Sequence, residues 1–279
     1  MTIFNPSWQF PSISITGNQC QLNCQHCGGH FLQQMHAITH PNNLLTFCQD
    51  LAQRNGVGCL ISGGCDLDGN IPLAPFLPVL TEIKTTTRLF LNVHTGFLTN
   101  SEAEELAHTG IDCASVDIVG DETTLHTIYG LKHRSTTDYA TTLQALKNAK
   151  LPVAPHICVG LNHGQLSGEL AGLQLIHSII QPTVLVIIAL MPTQETPMAN
   201  VSPANPLDVA RVCALTRILF PECEIALGCM RPRGAVRREL EQLAIHAGVT
   251  RLVLPTKSTI QYLQHNGYTI RTENACCVM

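Results

Sequence analysis

The chain has 279 residues, of which 45% are hydrophobic and 13% charged, and its formal net charge is −4. This content can bury one large core, so we expect a single domain over residues 1–279, with its core at about 11–255 and an extension at about 256–279. No basic run indicates a nucleic-acid partner, and no apolar stretch is long enough to cross a membrane. Thirteen cysteines, an odd number without a secretion signal, predict a cytoplasmic protein with free thiols rather than a disulfide scaffold.

Short apolar, β-branched runs alternate with amphipathic stretches along the chain. We expect strands at 12–16, 58–62, 89–94, 113–119, 153–159, 184–189, 224–228 and 251–254, and helices at 43–54, 101–108, 137–149, 168–180, 206–219 and 235–246. Alternating strands and helices with nearly continuous apolar strands predict a parallel sheet covered by helices, and eight strands are enough to close a (β/α)8 TIM-like barrel. After Tyr268 we expect an irregular tail.

Three cysteines follow the first predicted strand with x3 and x2 spacing, namely Cys20, Cys24 and Cys27. Four cysteines complete a cubane iron–sulfur cluster, so three leave one iron open to another ligand. The alternatives are a structural zinc site, with His26 or His30 as fourth ligand, and unconnected buried thiols. The loops that follow the strands of a barrel form its active face, which favours the cluster.

This cysteine spacing resembles the signature of the radical S-adenosylmethionine superfamily, although His26 replaces the usual aromatic residue before the third cysteine. The resemblance implies a barrel of the radical S-adenosylmethionine type with a [4Fe–4S] cluster on Cys20, Cys24 and Cys27. S-adenosylmethionine would chelate the open iron, and the reduced cluster would cleave its sulfonium to a 5′-deoxyadenosyl radical. A reductant such as ferredoxin or flavodoxin is implied as the electron source.

Candidate cofactor-binding residues follow the next strands. Gly63 and Gly64 resemble the Gly-Gly-Glu motif that receives the methionine amine in this superfamily, but Cys65 replaces the glutamate, so the carboxylate role passes to Asp66. A tight turn that needs glycine is the alternative. Four more residues complete the predicted cofactor site: Asn92, His94, Asp117 and Gly160. For His94 a structural role is the alternative.

A second group of thiols comprises Cys65, Cys229, Cys276 and Cys277. If the tail folds over the barrel mouth, these thiols could hold an auxiliary cluster that supplies sulfide to a substrate radical. Alternatively, Cys65 and Cys229 are small buried residues and the terminal pair belongs to a disordered end. Cys65 and Arg231 are the candidate catalytic residues. Arg231 could orient a carboxylate or ligate a cluster edge, or it could cap strand carbonyls. The remaining cysteines are interpreted as core thiols.

The whole chain resembles the biotin-synthase-like branch of the superfamily, and the segments around His94, Asp117 and Arg231 look most like two-protein lipoate synthases. This resemblance implies a sulfurtransferase that inserts sulfur into an octanoyl chain on a lipoyl-carrier protein, together with a partner radical S-adenosylmethionine protein. One alternative is another radical reaction, such as a biotin-synthase-like reaction, methylation or cofactor assembly. The other is a non-catalytic carrier of a cluster or of zinc.

Overall fold

The computed structural model describes residues 1–279 and contains eleven β-strands, nine α-helices and two short 3-10 helices. The strands are β1 (Thr2–Phe4), β2 (Ser12–Ser14), β3 (His36–Ala37), β4 (Gly58–Ser62), β5 (Phe90–His94), β6 (Cys113–Asp117), β7 (Val153–Val159), β8 (Val184–Ala189), β9 (Glu224–Leu227), β10 (Arg251–Val253) and β11 (Arg271–Glu273). The α-helices are α1 (Pro41–Gln53), α2 (Leu77–Thr86), α3 (Asn100–His108), α4 (Glu122–Thr127), α5 (Thr136–Asn148), α6 (Glu169–Ile179), α7 (Pro206–Leu219), α8 (Ala235–His246) and α9 (Lys257–His265). The 3-10 helices are His30–Gln34 and Ala74–Phe76.

All strands pair in parallel within one sheet, in the order β11-β1-β10-β9-β8-β7-β6-β5-β4-β2-β3. The predicted α/β fold of the TIM-like barrel type is therefore confirmed. The sheet curls, because inward side chains from strands as far apart as β1 and β6 share one cluster. It is not closed by hydrogen bonds, since β11 and β3 form its two ends. The result is a half-barrel.

The two faces of the sheet bury different groups, because successive residues of a strand point to opposite sides. On the outer face, side chains such as Ile61, Leu91 and Val116 join residues of the helices in a core of 59 buried residues. On the inner face, eleven buried residues form a smaller cluster around Phe4, Cys113 and Ala226. We call the space enclosed by the inner face the lumen, and the end where the strands finish its mouth.

Local signals in the sequence fix the helix starts. A Thr99–Glu102 capping box begins α3, and Asn205, followed by Pro206, begins α7. The predicted strands 58–62, 153–159 and 184–189 and the predicted helices 206–219 and 235–246 match the observed elements residue for residue. Six elements lie outside the predicted pattern: β1, β3, β11, α2, α4 and α9. None of the nine α-helices combines the length and apolar character needed to span a bilayer.

The predicted position of the C-terminal tail is wrong. Instead of an irregular segment over the mouth, the chain forms α9 and then β11, which pairs with β1. The last residues then enter the lumen at the end where the strands begin, and Ala275, Cys277 and Val278 are buried there. The physical reason is that the free edge of β1 offers unpaired backbone groups to the chain as it returns from α9.

Candidate functional site at the mouth of the half-barrel

The three-cysteine loop joins β2 to the first 3-10 helix at the mouth. Backbone N–H groups of Cys27 and Gly28 donate to the carbonyl of Cys24 at 3.1 and 2.8 Å, which folds the loop into a tight turn. Gly28 and Gly29 have positive φ angles of 50° and 73°, so glycine suits both positions. This turn brings the sulfur atoms of Cys24 and Cys27 and a ring nitrogen of His26 within 4.8 Å of one another.

The electrostatics of the loop favour a thiolate. A hydrogen bond from the Cys24 thiol, aided by His26, lowers the pKa of Cys27 to about 4 even though burial opposes ionisation. The same hydrogen bond, together with burial, raises the pKa of Cys24. The charge of Cys20 acts on both Cys24 and Cys65, which places Cys20 in the same cluster of thiols. Hydrogen bonds and positive neighbours are what stabilise a thiolate ligand.

The loop after β4 packs tightly against the cysteine loop. A Cβ atom on Gly64 would lie 2.0 Å from the carbonyl oxygen of Gln19 and 2.6 Å from Cα of Cys20, so only glycine fits there. The Gly64 N–H donates to the hydroxyl of Thr16 at 2.7 Å. Gly63 has more room, since the nearest atom to its Cβ would be a side-chain carbon at 3.1 Å. The glycine pair therefore has a definite packing role beside the thiols.

Cys65 and Asp66 differ in their surroundings. Burial, followed by the charges of Cys20 and Asp117, raises the pKa of Cys65 to about 12, so Cys65 lies with the three-cysteine loop and not with the tail. One carboxylate oxygen of Asp66 accepts from the backbone N–H groups of Asp68 and Asn70 at 2.9 and 2.8 Å. Half of the Asp66 carboxylate is thus engaged in its own loop.

Polar side chains line the lumen below the mouth. Ser115 donates to the amide oxygen of Asn92 at 2.8 Å, and both side chains are buried. The rings of His94 and His156 meet edge to face with centroids 5.5 Å apart. Burial lowers the pKa of His94 to about 4, although the charge of Asp117 opposes this shift. At neutral pH the lumen therefore offers neutral imidazole beside an accessible carboxylate at the end of β6.

Gly160 follows β7 and has a positive φ of 77°. Its N–H donates to the buried carboxylate of Glu169 at 2.7 Å, and its carbonyl accepts from Gly164 at 2.7 Å. Both backbone groups of Gly160 are thus bonded within the protein. A small pocket of about 20 Å³ lies beside this turn and is lined by residues including Asp121, Cys158 and Glu169.

The four thiols predicted for an auxiliary cluster do not all come together. Charge interactions join Cys229 to both Cys276 and Cys277, and Cys113 to Cys276, whereas Cys65 lies at the mouth. Cys229 is accessible to water, yet burial raises its pKa. A side chain that is both accessible and poorly solvated faces a cavity, which here is the lumen.

Arg231 is buried, with 1% of its surface exposed. Its guanidinium donates to the carboxylate of Glu241 at 2.7 Å, to the carbonyl of Val253 at 2.6 Å and to the carbonyl of Gly228. These contacts match the alternative in which Arg231 caps strand carbonyls. Arg231 also lies close enough to Cys229 for its charge to lower the pKa of that thiol, against the effect of burial, and a catalytic role of Arg231 stays a prediction.

Comparison with known proteins gives distant relatives and a shared fold. No family model matches the chain. The biotin synthase of Methylobacterium nodulans is 32% identical over 157 residues, which cover 55% of this chain but only 45% of that protein. The biotin synthase of Synechococcus elongatus is 29% identical over 248 residues, covering 85% of this chain and 74% of that protein. The chain is therefore a distant relative of biotin synthases, in agreement with the resemblance of its cysteine loop to the radical S-adenosylmethionine superfamily.

Two solved structures share the half-barrel. The crystal structure of HydG, a maturase of the [FeFe]-hydrogenase, superposes with a TM-score of 0.68 at 16% identity, covering 97% of this chain and 64% of that one. The crystal structure of methylornithine synthase (PylB) gives a TM-score of 0.67 at 14% identity, covering 96% of this chain and 83% of that one. At such identities the likeness shows the fold alone.

For a radical S-adenosylmethionine protein the homology implies a [4Fe–4S] cluster and S-adenosylmethionine, and the mouth fits this cluster. Three thiols from one loop gather where thiolate is stabilised, and thiolates are the ligands that iron–sulfur clusters use. The buried Nδ1 atom of His26 has no hydrogen-bond partner, and the His26 ring lies 5.2 Å from that of Tyr129. Cys20, Cys24 and Cys27 could therefore hold the cluster.

Sequence reasoning missed two residues of the candidate site. His156 faces the lumen because it shares the inward parity of Ala154 and Cys158 on β7, and a lone polar residue in that apolar strand was the available signal. The second is Glu169, which is buried and accepts a hydrogen bond from the Gly160 N–H in the turn after β7. No sequence signal pairs Glu169 with Gly160 across nine residues.

Proposed function

We propose that this protein is a radical S-adenosylmethionine enzyme that acts on a substrate bound in the lumen. The observation that carries the proposal is the position of Cys20, Cys24 and Cys27 in one loop at the mouth of a half-barrel, with the sulfur atoms of Cys24 and Cys27 within 4.8 Å of each other, in a chain related to biotin synthases. When bound there, a [4Fe–4S] cluster supplies the electron that cleaves the sulfonium of S-adenosylmethionine. The protein's own residues position the cofactor and shield the radical from water.

We assign residues around the mouth to the positioning of S-adenosylmethionine. We assign the backbone of Gly63 and Gly64 to the methionine amine and Asp117 to an amine or ribose hydroxyl of the cofactor. Support comes from the tight contact of Gly64 with Cys20 and from the reach of the Asp117 charge to Cys65 and His94. His94 is neutral at physiological pH and so serves as a hydrogen-bonding group rather than as a cation.

Anaerobic reconstitution tests this proposal. The full chain should bind about four irons at the mouth and form 5′-deoxyadenosine from S-adenosylmethionine when reduced. Cys24→Ala should lose both properties, whereas Cys48→Ala, which changes an equally buried thiol in the outer core, should keep them. Zinc in place of iron, or deoxyadenosine formation that persists in Cys24→Ala, would contradict the proposal. A non-catalytic carrier would form no deoxyadenosine.

Sulfur transfer is a second candidate for the reaction type. The observation that favours it is the mutual proximity of Cys229, Cys276 and Cys277 on the lumen side of the tail. A hydrogen bond from the Cys277 thiol, with help from Asn92, lowers the pKa of Cys276 despite burial. Such a thiolate is suited to hold an auxiliary cluster, for which we retain Cys229, Cys276 and Cys277 and leave out Cys65.

The iron content per chain distinguishes an enzyme with one cluster from a sulfurtransferase with an additional auxiliary cluster. An auxiliary cubane would raise the content to about eight irons per chain, and Cys276→Ala with Cys277→Ala would return it to about four. Cys213→Ala removes a buried thiol of α7 as the matched control. An unchanged iron content in the double variant would exclude the tail as a ligand. The octanoyl substrate and the partner enzyme stay predictions, to be tested by product analysis with an octanoylated peptide.

A further inference from the structure

The last six residues, 274–279, close the lower end of the lumen, and we call them the floor segment. At this level the inward side chains of β6, β7 and β9 are small, namely Cys113, Ala154 and Ala226. Small side chains on a curled sheet leave a hole, because interiors are packed to high density only when larger groups fill them. Ala275 and Val278 of the floor segment fill this hole and are 4% and 8% exposed.

Directional contacts hold the floor segment in place. The guanidinium of Arg251 donates to the carbonyls of Cys277 and Met279 at 2.6 and 2.5 Å, and it lies over the ring of Phe4 at 5.4 Å. The side-chain amide of Asn274 donates to the Gln9 side chain at 3.0 Å. Charge-assisted hydrogen bonds to backbone carbonyls fix position as well as contribute stability. The floor segment is therefore an ordered part of the inner face.

Above the floor segment the lumen becomes polar. Going up from Cys113 along β6, the inward residues are Ser115 and Asp117. On β5, Asn92 is the partner of Cys113 and His94 is the partner of Ser115. Four residue steps lead from Cys113 to Asp117, which corresponds to about 13 Å between their Cα atoms at about 3.3 Å per residue. The cofactor site lies at the top of this span. The wall between the floor segment and the mouth therefore carries hydrogen-bonding groups.

We propose that the floor segment sets the depth of the substrate cavity and thereby selects a compact, hydrogen-bonding substrate over one with a long alkyl chain. This inference rests on the proposed function, because it takes the lumen as the place where the substrate binds. Cys276 is the residue of the floor segment that faces the cavity, since it is half-buried and close to Asn92 and Cys229. Below Cys276, the buried residues of the floor segment occupy the space that an alkyl chain would otherwise enter.

Removal of the floor segment should change the chemistry of the lower lumen. The surface uncovered is apolar, because it comprises Cys113, Ala154, Val186, Ala226 and Val253. Burial of alkyl groups against such a surface is favourable at roughly 0.8 kcal/mol per methylene group, whereas the intact floor segment denies access to it. The shortened chain should thus bind alkyl chains that the full chain does not.

Octanoate is a suitable probe, with binding measured by titration calorimetry on the reconstituted protein. We expect binding by a chain ending at residue 273 to be at least about tenfold tighter than by the full chain. Ala154→Leu in the shortened chain is the matched control, because it refills the opened hole and should abolish the gain. If the shortened chain fails to fold, Val278→Gly in the full chain opens part of the same hole and should bind octanoate measurably.

Two results would overturn the inference. One is octanoate binding of equal affinity in the full and opened chains, and the other is no binding by either form. Deoxyadenosine formation by the full chain tests the proposed function separately, because it does not depend on what fills the lower lumen. If the full chain forms deoxyadenosine but the octanoate test fails, only the inference about the floor segment is refuted. If the octanoate test succeeds but no deoxyadenosine forms, only the proposed enzyme function is refuted.

Discussion

Glu241 on α8 is a buried carboxylate that accepts hydrogen bonds from several side chains. Removal of its charge should destabilise the protein strongly. It is 0% exposed and accepts from Arg231 at 2.7 Å, from Arg237 at 2.9 Å and from the hydroxyl of Thr259 at 2.6 Å. Glu241→Gln keeps the shape of the side chain but removes its charge. The guanidinium of Arg231 would then be a buried charge without a counter-ion.

The magnitude follows from that unpaired charge. Loss of one partner of a buried ion pair costs about 3–5 kcal/mol, against a total free energy of unfolding of about 5–15 kcal/mol. Arg237→Ala is the matched control, because this second partner of Glu241 is partly exposed and should cost less than about 1 kcal/mol. Urea unfolding of the reduced protein, followed by circular dichroism, measures both values.

The pH dependence of stability gives an independent check on Glu241. Burial alone would raise its pKa, but the hydrogen bond from Thr259 and the charge of Arg231 outweigh this effect, so the pKa is held below its usual value. A group with a depressed pKa stabilises the fold above its unfolded value of about 4.3, and this stabilisation is lost as pH falls. The acid-induced loss should be smaller in Glu241→Gln.

One outcome would refute the structural account of this ion pair. If Glu241→Gln unfolds within about 1 kcal/mol of the wild type, the buried guanidinium is not held by that carboxylate. If Arg231→Met keeps the wild-type free energy of unfolding but forms no deoxyadenosine, Arg231 acts in catalysis after all.

Three further changes test other parts of the molecule. Because burial lowers the pKa of His94 to about 4, below its unfolded value of about 6.5, the free energy of unfolding should fall by roughly 2 kcal/mol from pH 7 to pH 5, and His94→Gln should flatten this slope in urea titrations. Gly64→Ala should displace the cysteine loop and reduce iron per chain, whereas Gly63→Ala should retain it; equal iron contents would count against the loop packing. Arg251→Met should speed amide hydrogen exchange in residues 274–279, and unchanged exchange would show that other contacts anchor them.

The repeating pattern of the chain predicted the fold class because each strand carries its own signal. The segments Val153–Val159 and Val184–Ala189 are apolar runs of strand length, and the helix Pro206–Leu219 begins with Asn205 and Pro206 at its start. These signals are local and survive without tertiary context. β1 and β11 have only three residues each, which is too short for a hydrophobic pattern that predicts a strand.

In the candidate site, too, residues close in sequence were predictable and residues far apart in sequence were not. The spacing of Cys20, Cys24 and Cys27 predicted one set of thiols because few residues separate them, and the loop brings the sulfur atoms of Cys24 and Cys27 within 4.8 Å of each other. For Cys65, Cys229 and the pair Cys276 and Cys277, the sequence could not predict which thiols lie close together. Those residues are far apart in the chain, and their distances depend on how the sheet curls and where β11 pairs.

The amino-acid sequence by itself determined a parallel, helix-covered sheet and a cysteine loop at the end of its first core strand, because periodicity and close spacing act over a few residues. Only the tertiary structure decided that the sheet stays open, that the chain end fills the bottom of the lumen instead of covering its mouth, and that Arg231 turns toward Glu241. Each of these outcomes depends on groups brought together across many residues, where burial and pairing of polar groups, and not local preference, set the lowest free energy.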